Sequence, residues 1–136
     1  MKSVRVLLVE DNAGDALLVD QALKDCPIPV ILTIAHDGEQ ALSLLSERDF
    51  EPDLIILDLN IPKIPGHVLL QRFDAKTKPI VVFSAYWDDV DLDRVFALGV
   101  REYVHKPTDL DAFKTAVCGM IRKWALHPRD RGSIHA

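Results

Sequence analysis

Five polar residues that could carry out chemistry each stand at the end of a hydrophobic run in this sequence. Glu10 and Asp11 are neighbouring acids after the first run, and Asp58 is a third acid after another. Ser84 and Lys106 end two further runs and add a hydroxyl and an ammonium group. Strands buried on both faces of a parallel sheet are near-continuous runs of Val, Ile and Leu, and ligands bind beyond their carboxyl ends. These residues therefore form the candidate site.

The acids indicate a cation site, provided that the strands before Asp11 and Asp58 are adjacent. Clustered carboxylates repel one another, and protonation or a hard cation relieves the repulsion. Mg²⁺ is the expected ion, with Mn²⁺ as the alternative, because Mg²⁺ binds a few carboxylate or carbonyl oxygens and can bridge to a phosphoryl oxygen. A carboxylate beside a divalent ion, a hydroxyl and an ammonium group suits in-line phosphoryl transfer. The expected product is a phosphoaspartate at Asp58.

Length and composition limit the classes of protein that could carry this site. A chain of 136 residues fits one domain with a single core. The formal charge of -5 argues against nucleic acid or an anionic membrane surface as a partner. Cys26 and Cys118 match no metal or redox spacing, so we expect two reduced, packed thiols. No apolar stretch approaches the ~18 residues of a membrane span, and we expect a cytoplasmic protein.

Five strand-like runs alternate with five helix-like segments, which is typical of a parallel sheet covered by helices on both faces. The predicted strands are residues 4–9, 30–35, 53–58, 80–83 and 101–105. Residues 127–136 lack hydrophobic periodicity. We therefore expect one domain over residues 1–126 and a disordered tail after it.

Local signals predict the helix ends, and helical spacing of apolar residues predicts the inner faces. Asp37 can cap the second helix, and Thr108 with Asp111 makes a capping box for the fifth. The fourth helix is expected to begin near Asp88 and to stop at Gly99. The expected inner faces contain Leu18, Val19, Ala22 and Leu23, then Ala41, Leu44 and Leu45, then Leu69 and Phe73, then Leu92, Val95 and Phe96, and finally Leu110, Phe113, Val117, Ile121 and Trp124.

The chain resembles the receiver domain of a two-component response regulator, with nothing appended. The matching motifs are Glu10-Asp11, Leu57-Asp58-Leu59-Asn60-Ile61-Pro62, Gly66, Ser84-Ala85 and Lys106-Pro107, and they occur in the family's order. The likeness covers roughly residues 3–126. It implies a flavodoxin-like, doubly wound (βα)5 sandwich, an α/β fold whose five-stranded parallel sheet has the order 2-1-3-4-5.

The resemblance also implies a phosphodonor and a metal site. In receivers a histidine kinase passes its phosphoryl group to the aspartate that matches Asp58. The acids that match Glu10 and Asp11 hold Mg²⁺ together with that aspartate, and the backbone carbonyl at Asn60 completes the protein ligands. On this basis the chain is a phosphoacceptor signalling protein that catalyses only its own phosphorylation and dephosphorylation.

Other family positions imply a conformational switch that responds to phosphorylation. Ser84 and Lys106 would contact the phosphoryl group, and Tyr103 would be the aromatic that rotates on phosphorylation. A tyrosine at such a place is more often simply packed, so this role depends on the family spacing. Asn60 and Tyr86, two positions after the acceptor aspartate and after Ser84, would tune hydrolysis. Output to a downstream protein, and homodimerisation, would use the surface of helix four, strand five and helix five.

Finer motifs resemble the small stand-alone regulators that partner with bacteriophytochrome kinases. They are Val9-Glu10-Asp11-Asn12 with Asp15, and Asp58-Leu59-Asn60-Ile61-Pro62-Lys63. The resemblance implies a light-sensing histidine kinase as the phosphodonor. Pro65 departs from the family pattern, because many receivers have an acidic residue there.

Four other functions share some of these features. A haloacid dehalogenase phosphatase also phosphorylates an aspartate after a strand, but it needs a second Asp where this chain has Asn60. A flavin-binding flavodoxin would need a phosphate-cradling loop where Glu10 and Asp11 would repel phosphate. Two alternatives stay open: a pseudo-receiver that binds partners without phosphorylation, and a receiver that acts as a phosphate relay or sink.

Overall fold

The computed structural model describes residues 2–61, 63–73, 78–85 and 92–126, and strands alternate with helices along them. The strands are β1 (Val4–Val9), β2 (Val30–Ala35), β3 (Leu54–Leu57), β4 (Ile80–Ser84) and β5 (Glu102–His105). The helices are α1 (Ala13–Asp25), α2 (Gly38–Leu45), α3 (Gly66–Arg72), α4 (Leu92–Ala97) and α5 (Leu110–Met120), and a π-helical turn over Ile121–Ala125 continues α5. Asp88, Pro62, Tyr86, Trp87 and the predicted tail lie outside the described residues.

The strands form a parallel sheet, which within the described residues has five members in the order β2-β1-β3-β4-β5. The predicted fold class and strand order are therefore confirmed. The order reverses at β1, because the chain leaves β1 for one neighbour and returns to β3 on the other side. Loops that leave β1 and β3 in opposite directions open a crevice at the carboxyl edge of the sheet. Val9 and Leu57, the last residues of these strands, are partners in the register.

Alternation along the strands creates two core clusters, one on each face of the sheet. Val6 and Leu8 of β1 face the cluster that includes α1 and α5, whereas Leu7 and Val9 face the cluster that includes α2, α3 and α4. All residues of β3 are at most 2% exposed. Full burial of a Leu or Ile side chain contributes about 1.5–3 kcal/mol to the stability of the fold, so the central strand β3 is strongly stabilised. In the described parts of the chain, no helix is both long and apolar enough to cross a membrane.

Most residues of the predicted inner faces are buried, but the prediction is wrong for two of them, which are exposed. Phe96 is 44% exposed and Leu110 is 48% exposed. Neighbouring helical residues point about 100° apart, so Phe96 turns outward because Val95 faces the core. Leu110 is the first residue of α5, and the face that meets the core begins at Phe113. The apolar pattern thus overestimated the burial of both helices.

The predicted cap of α2 is confirmed, whereas that of α5 is wrong by one residue. Asp37 Oδ1 accepts a hydrogen bond from the Gln40 N–H at 2.8 Å. At α5, Asp109 and not Thr108 is the cap, because its Oδ2 accepts from the Ala112 N–H at 2.9 Å. Asp109 directly precedes the first helical residue, and a cap accepts from the amide three positions later.

The two cysteines form a disulfide, so the prediction of reduced thiols is wrong. Cys26 and Cys118 are separated by 92 positions in the sequence, yet their Cα atoms lie 5.7 Å apart. Both α1 and α5 pack on the same face of the sheet, which brings the end of α1 against the last turn of α5. Lys114 and Asp25 form an ion pair of 2.9 Å beside the bond.

We predict that Cys118→Ser lowers the free energy of unfolding of the oxidised protein by about 4 kcal/mol, because the bond closes a long loop in the unfolded chain. Urea denaturation of the oxidised wild type and variant measures the difference. Under strong reductant the two proteins should unfold at nearly the same urea concentration. Titration of two free thiols in the unfolded, unreduced wild type would contradict the disulfide.

Candidate functional site

Asp58 lies directly after β3, and its carboxylate is held on both oxygens. The residue is 7% exposed, and its N–H donates to the Val9 carbonyl at 3.0 Å. Oδ1 accepts from the Asn60 N–H at 2.9 Å and from the Ser84 hydroxyl at 3.0 Å. Oδ2 accepts from Lys106 Nζ at 2.8 Å. The apolar strand therefore delivers a buried, oriented carboxylate to the crevice.

Lys106 follows β5, and its ammonium group joins three carboxylates among the described residues. Nζ donates to Glu10 Oε1, to Asp58 Oδ2 at 2.8 Å and to Asp15 Oδ2 at 2.9 Å. An ammonium group has three N–H donors, so these contacts use all of them. Burial by itself would lower the pKa of Lys106, but the hydrogen bonds to the three acids outweigh it and hold the pKa above its ordinary value. Lys106 is therefore a cation at neutral pH.

Glu10 follows β1 and is the most deeply buried acid of the site, at 1% exposure. Its N–H donates to the Ala35 carbonyl at 2.9 Å, and its Oε2 accepts from the Asn12 N–H at 3.3 Å. Burial raises the pKa of Glu10 to about 7, and the charge of Asp58 adds to the increase although Lys106 opposes it. Burial therefore disfavours the charged form of Glu10 more strongly than the Lys106 ammonium group favours it.

Two of the predicted ligand positions lie at the rim of this cluster. Asp11 is exposed and, among the residues that the structure describes, has neither a hydrogen-bond nor an ion-pair partner for its carboxylate. Asn60 is also exposed, and its N–H donates to Asp58. In the described ranges, no three His, Cys, Asp or Glu side chains are grouped closely enough to hold a metal ion. In this arrangement the ammonium group of Lys106 lies between the buried acids.

The chemistry of the donor set nevertheless fits a hard divalent cation. Glu10 and Asp58 are buried acids, and burial together with the charge of Asp58 raises the pKa of Glu10. Asp11 adds an accessible carboxylate, and the loop after β3 adds backbone carbonyls. Carboxylate and carbonyl oxygens are the ligands that Mg²⁺ prefers, and added positive charge would relieve the repulsion. We conclude that these residues suit such an ion.

Ser84 and Tyr103 connect the carboxylate to the edge strand. Ser84 is fully buried at the end of β4, and its carbonyl accepts from the Lys106 N–H at 3.0 Å. Tyr103 on β5 is half-buried in the core cluster of α2, α3 and α4, and its side chain hydrogen bonds with Ser84. Burial raises the pKa of Tyr103, and the hydrogen bond with Ser84 opposes that rise. A hydrogen-bonded path therefore runs from Asp58 through Ser84 to Tyr103.

The loop after β3 is fixed by close packing. A Cβ at Gly66 would lie 2.7 Å from Leu59 Cδ2 and 3.1 Å from the Leu59 Cα and carbonyl oxygen, so a larger residue at this matched family position would force Leu59 to shift. Lys63 has a φ of 75°, a left-handed conformation that is unfavourable for its side chain. Its ammonium group pairs with Asp37 at 3.2 Å and Glu39 at 3.5 Å. These contacts tie the loop that carries Asn60 to the start of α2.

Asp15 is a site residue that the sequence analysis did not assign. Its carboxylate contacts Lys106 directly, because Asn12 caps α1 and accepts from the Asp15 N–H at 2.9 Å. The signal for this position was an Asn followed three residues later by an acid, which places the acid in the first helical turn. That turn begins just after the strand end that carries Glu10, so Asp15 returns to the same crevice.

Known proteins with similar sequences and structures share this architecture. The family model of the response regulator receiver domain matches residues 6–118. Response regulator Rcp1 of Synechocystis sp. is 37% identical over 128 residues, which cover 88% of this chain and 87% of that protein. The structure of the phosphorylated cyanobacterial phytochrome response regulator RcpA has a TM-score of 0.81 at 31% identity, and Mn²⁺-bound Rcp1 has 0.78 at 32%. Each covers 90% of this chain and 94% of the other chain. The chain belongs to the response regulator receiver family.

Proposed function

We propose that this receiver accepts a phosphoryl group on Asp58 from a histidine kinase in the cytoplasm. The observation that carries the proposal is the buried Asp58 carboxylate, which is oriented by a hydroxyl, a backbone N–H and an ammonium group. An Asp58 oxygen attacks phosphorus, the bond from phosphorus to the kinase histidine breaks, and the imidazole nitrogen keeps the electron pair. Positioning and charge neutralisation supply most of the catalysis in such a transfer.

The surrounding residues supply those two effects. Lys106 brings a fixed positive charge to the attacking carboxylate, and Ser84 brings a hydroxyl donor. Glu10, Asp11, Asp58 and the Asn60 carbonyl would hold Mg²⁺ or Mn²⁺. When bound, that ion would supply positive charge that offsets the negative charge of the phosphoryl group. Asn60 and Tyr86 would then influence how fast the phosphoaspartate is hydrolysed.

The similar proteins support this assignment. One is described as a phosphorylated phytochrome response regulator, and another as an Mn²⁺-bound response regulator. Both likenesses extend over most of the chain. They support a divalent ion at the acids, phosphorylation of the receiver and a bacteriophytochrome kinase as the phosphodonor.

The output of the phosphorylated form would be contact with another protein. Ser84 hydrogen bonds with Tyr103, so movement of Ser84 toward a phosphoryl group would change the packing of Tyr103 on β5. This is a shift between two populated states of the edge strand. Exposed Phe96 on α4 and Leu110 on α5 offer apolar contact area near that strand. We place both downstream binding and homodimerisation on the surface of α4, β5 and α5.

Asp58→Asn is expected to abolish phosphoryl uptake, because the amide nitrogen and oxygen are poor nucleophiles compared with a carboxylate. Incubation with radiolabelled acetyl phosphate and Mg²⁺, followed by gel autoradiography, measures the uptake. Asp49→Asn is the matched control, since Asp49 is an exposed acid between α2 and β3. Wild-type labelling of the Asp58 variant would exclude Asp58 as the acceptor. An unlabelled wild type would favour the pseudo-receiver.

Asp11→Ala is expected to weaken Mg²⁺ binding about tenfold, or ~1.4 kcal/mol, because it removes an anionic ligand. Isothermal titration calorimetry measures the Kd, and the Asp49→Ala protein controls for the change in net charge. Unchanged Mg²⁺ affinity in the Asp11 variant would remove Asp11 from the proposed ligand set.

Phosphorylation is expected to drive dimerisation through α4, β5 and α5. Size-exclusion chromatography with light scattering should give the mass of two chains when Mg²⁺ and beryllofluoride are added, and Asp58→Asn should stay monomeric. Phe96→Ser should shift the wild-type equilibrium toward monomer, because it removes exposed apolar area from α4. Leu17→Ser is the matched control, since Leu17 is 55% exposed on α1. An equal effect of both substitutions would place the interface elsewhere.

A further inference from the structure

The three acids that hold Lys106 do not have the same surroundings. Glu10 and Asp58 are almost fully buried and are proposed ligands of the divalent cation. The Asp15 side chain is 33% exposed, and Asp15 is outside the proposed ligand set. Its contact with Lys106 Nζ, at 2.9 Å, is nevertheless within 0.1 Å of that of Asp58, at 2.8 Å. Lys106 thus has one carboxylate partner, among those described, that metal binding would not recruit.

The position of Asp15 is fixed by elements outside the cluster. Asn12 caps α1 through the Asp15 N–H, and the Ala16 N–H donates to the Asn12 carbonyl at 3.0 Å. Ala16 and Val19, which follow on the inner face of α1, are buried in the core. The backbone of Asp15 is therefore held by the helix cap and by helix packing, independently of Lys106.

A divalent cation and the Lys106 ammonium group would compete for the same two buried acids. Both carry positive charge, so they repel each other when they share Glu10 and Asp58. Binding of the cation must then loosen the hydrogen bonds from Lys106 to these acids. An ammonium group left in this buried place without an anionic partner would oppose cation binding.

We propose that Asp15 is a positioning residue that retains the Lys106 ammonium group when a divalent cation binds Glu10 and Asp58. The inference rests on the proposed function, because it requires that cation site. With Asp15 as its partner, Lys106 can release its hydrogen bonds to the two buried acids and still stay beside Asp58. The cation and the lysine can then both face an incoming phosphoryl group.

The test is a double-mutant cycle that measures the Kd of Mg²⁺ by calorimetry. Asp15→Ala should weaken Mg²⁺ binding about fivefold in the wild-type background, the scale of coupling within one hydrogen-bond network. In the Lys106→Met background the same substitution should change the Kd less than about twofold. Asp15→Asn keeps an acceptor without the charge, so its Kd for Mg²⁺ should lie between those of the wild type and Asp15→Ala. It also provides a milder variant if the alanine protein is unstable.

Asp20→Ala is the matched control, because Asp20 is another acid of α1 and pairs with Lys24 at 3.1 Å. It removes the same charge without touching Lys106 and should leave the Kd nearly unchanged. An equal loss from Asp15→Ala in both backgrounds would mean that Asp15 acts on the cation itself, and it would overturn the inference. No loss in the wild-type background would overturn it as well. A wild type that binds no Mg²⁺ would instead refute the proposed metal site.

Discussion

Burial of negative charge at the carboxyl edge of the sheet is the constraint on which this structure depends. Glu10 and Asp58 are at most 7% exposed, and an uncompensated buried carboxylate is strongly destabilising. Their compensation comes from Lys106 and Ser84, which stand at the ends of other strands. A slip of one residue in the register would turn any of these side chains to the opposite face. The charges therefore require the observed register, and the register places the charges together.

The strands and the candidate site were accessible to sequence analysis because they share one signal. Runs such as Leu54–Leu57 are apolar on both faces, so a carboxylate that ends one of them is conspicuous. The sheet order that the family resemblance implies then brings these ends together. The same reasoning could not find Asp15, whose place depends on the cap of α1 and on the helical register rather than on a strand end.

Other differences arise from contacts between elements that are distant in the sequence. The pairing of Cys26 with Cys118 depends on α1 and α5 covering the same face, which no local pattern encodes. Two acceptable capping residues, Thr108 and Asp109, stand side by side, and the structure uses the second. Phe96 belongs to an apolar pair of which one member alone can face the core. Local chemistry thus predicts elements, and packing decides among equivalent local choices.

The disulfide also turns a linear chain into one that contains a closed covalent ring. It closes residues 26–118 into a ring that contains β2, β3, β4 and β5, together with Asp58, Ser84 and Lys106. A protease that cuts one surface loop of this ring, such as the loop between α2 and β3, would open it without releasing either fragment. Both pieces would stay joined through α1 and α5 and would separate only on reduction and unfolding. In the oxidised form, a single nick therefore adds two chain ends without dividing the molecule.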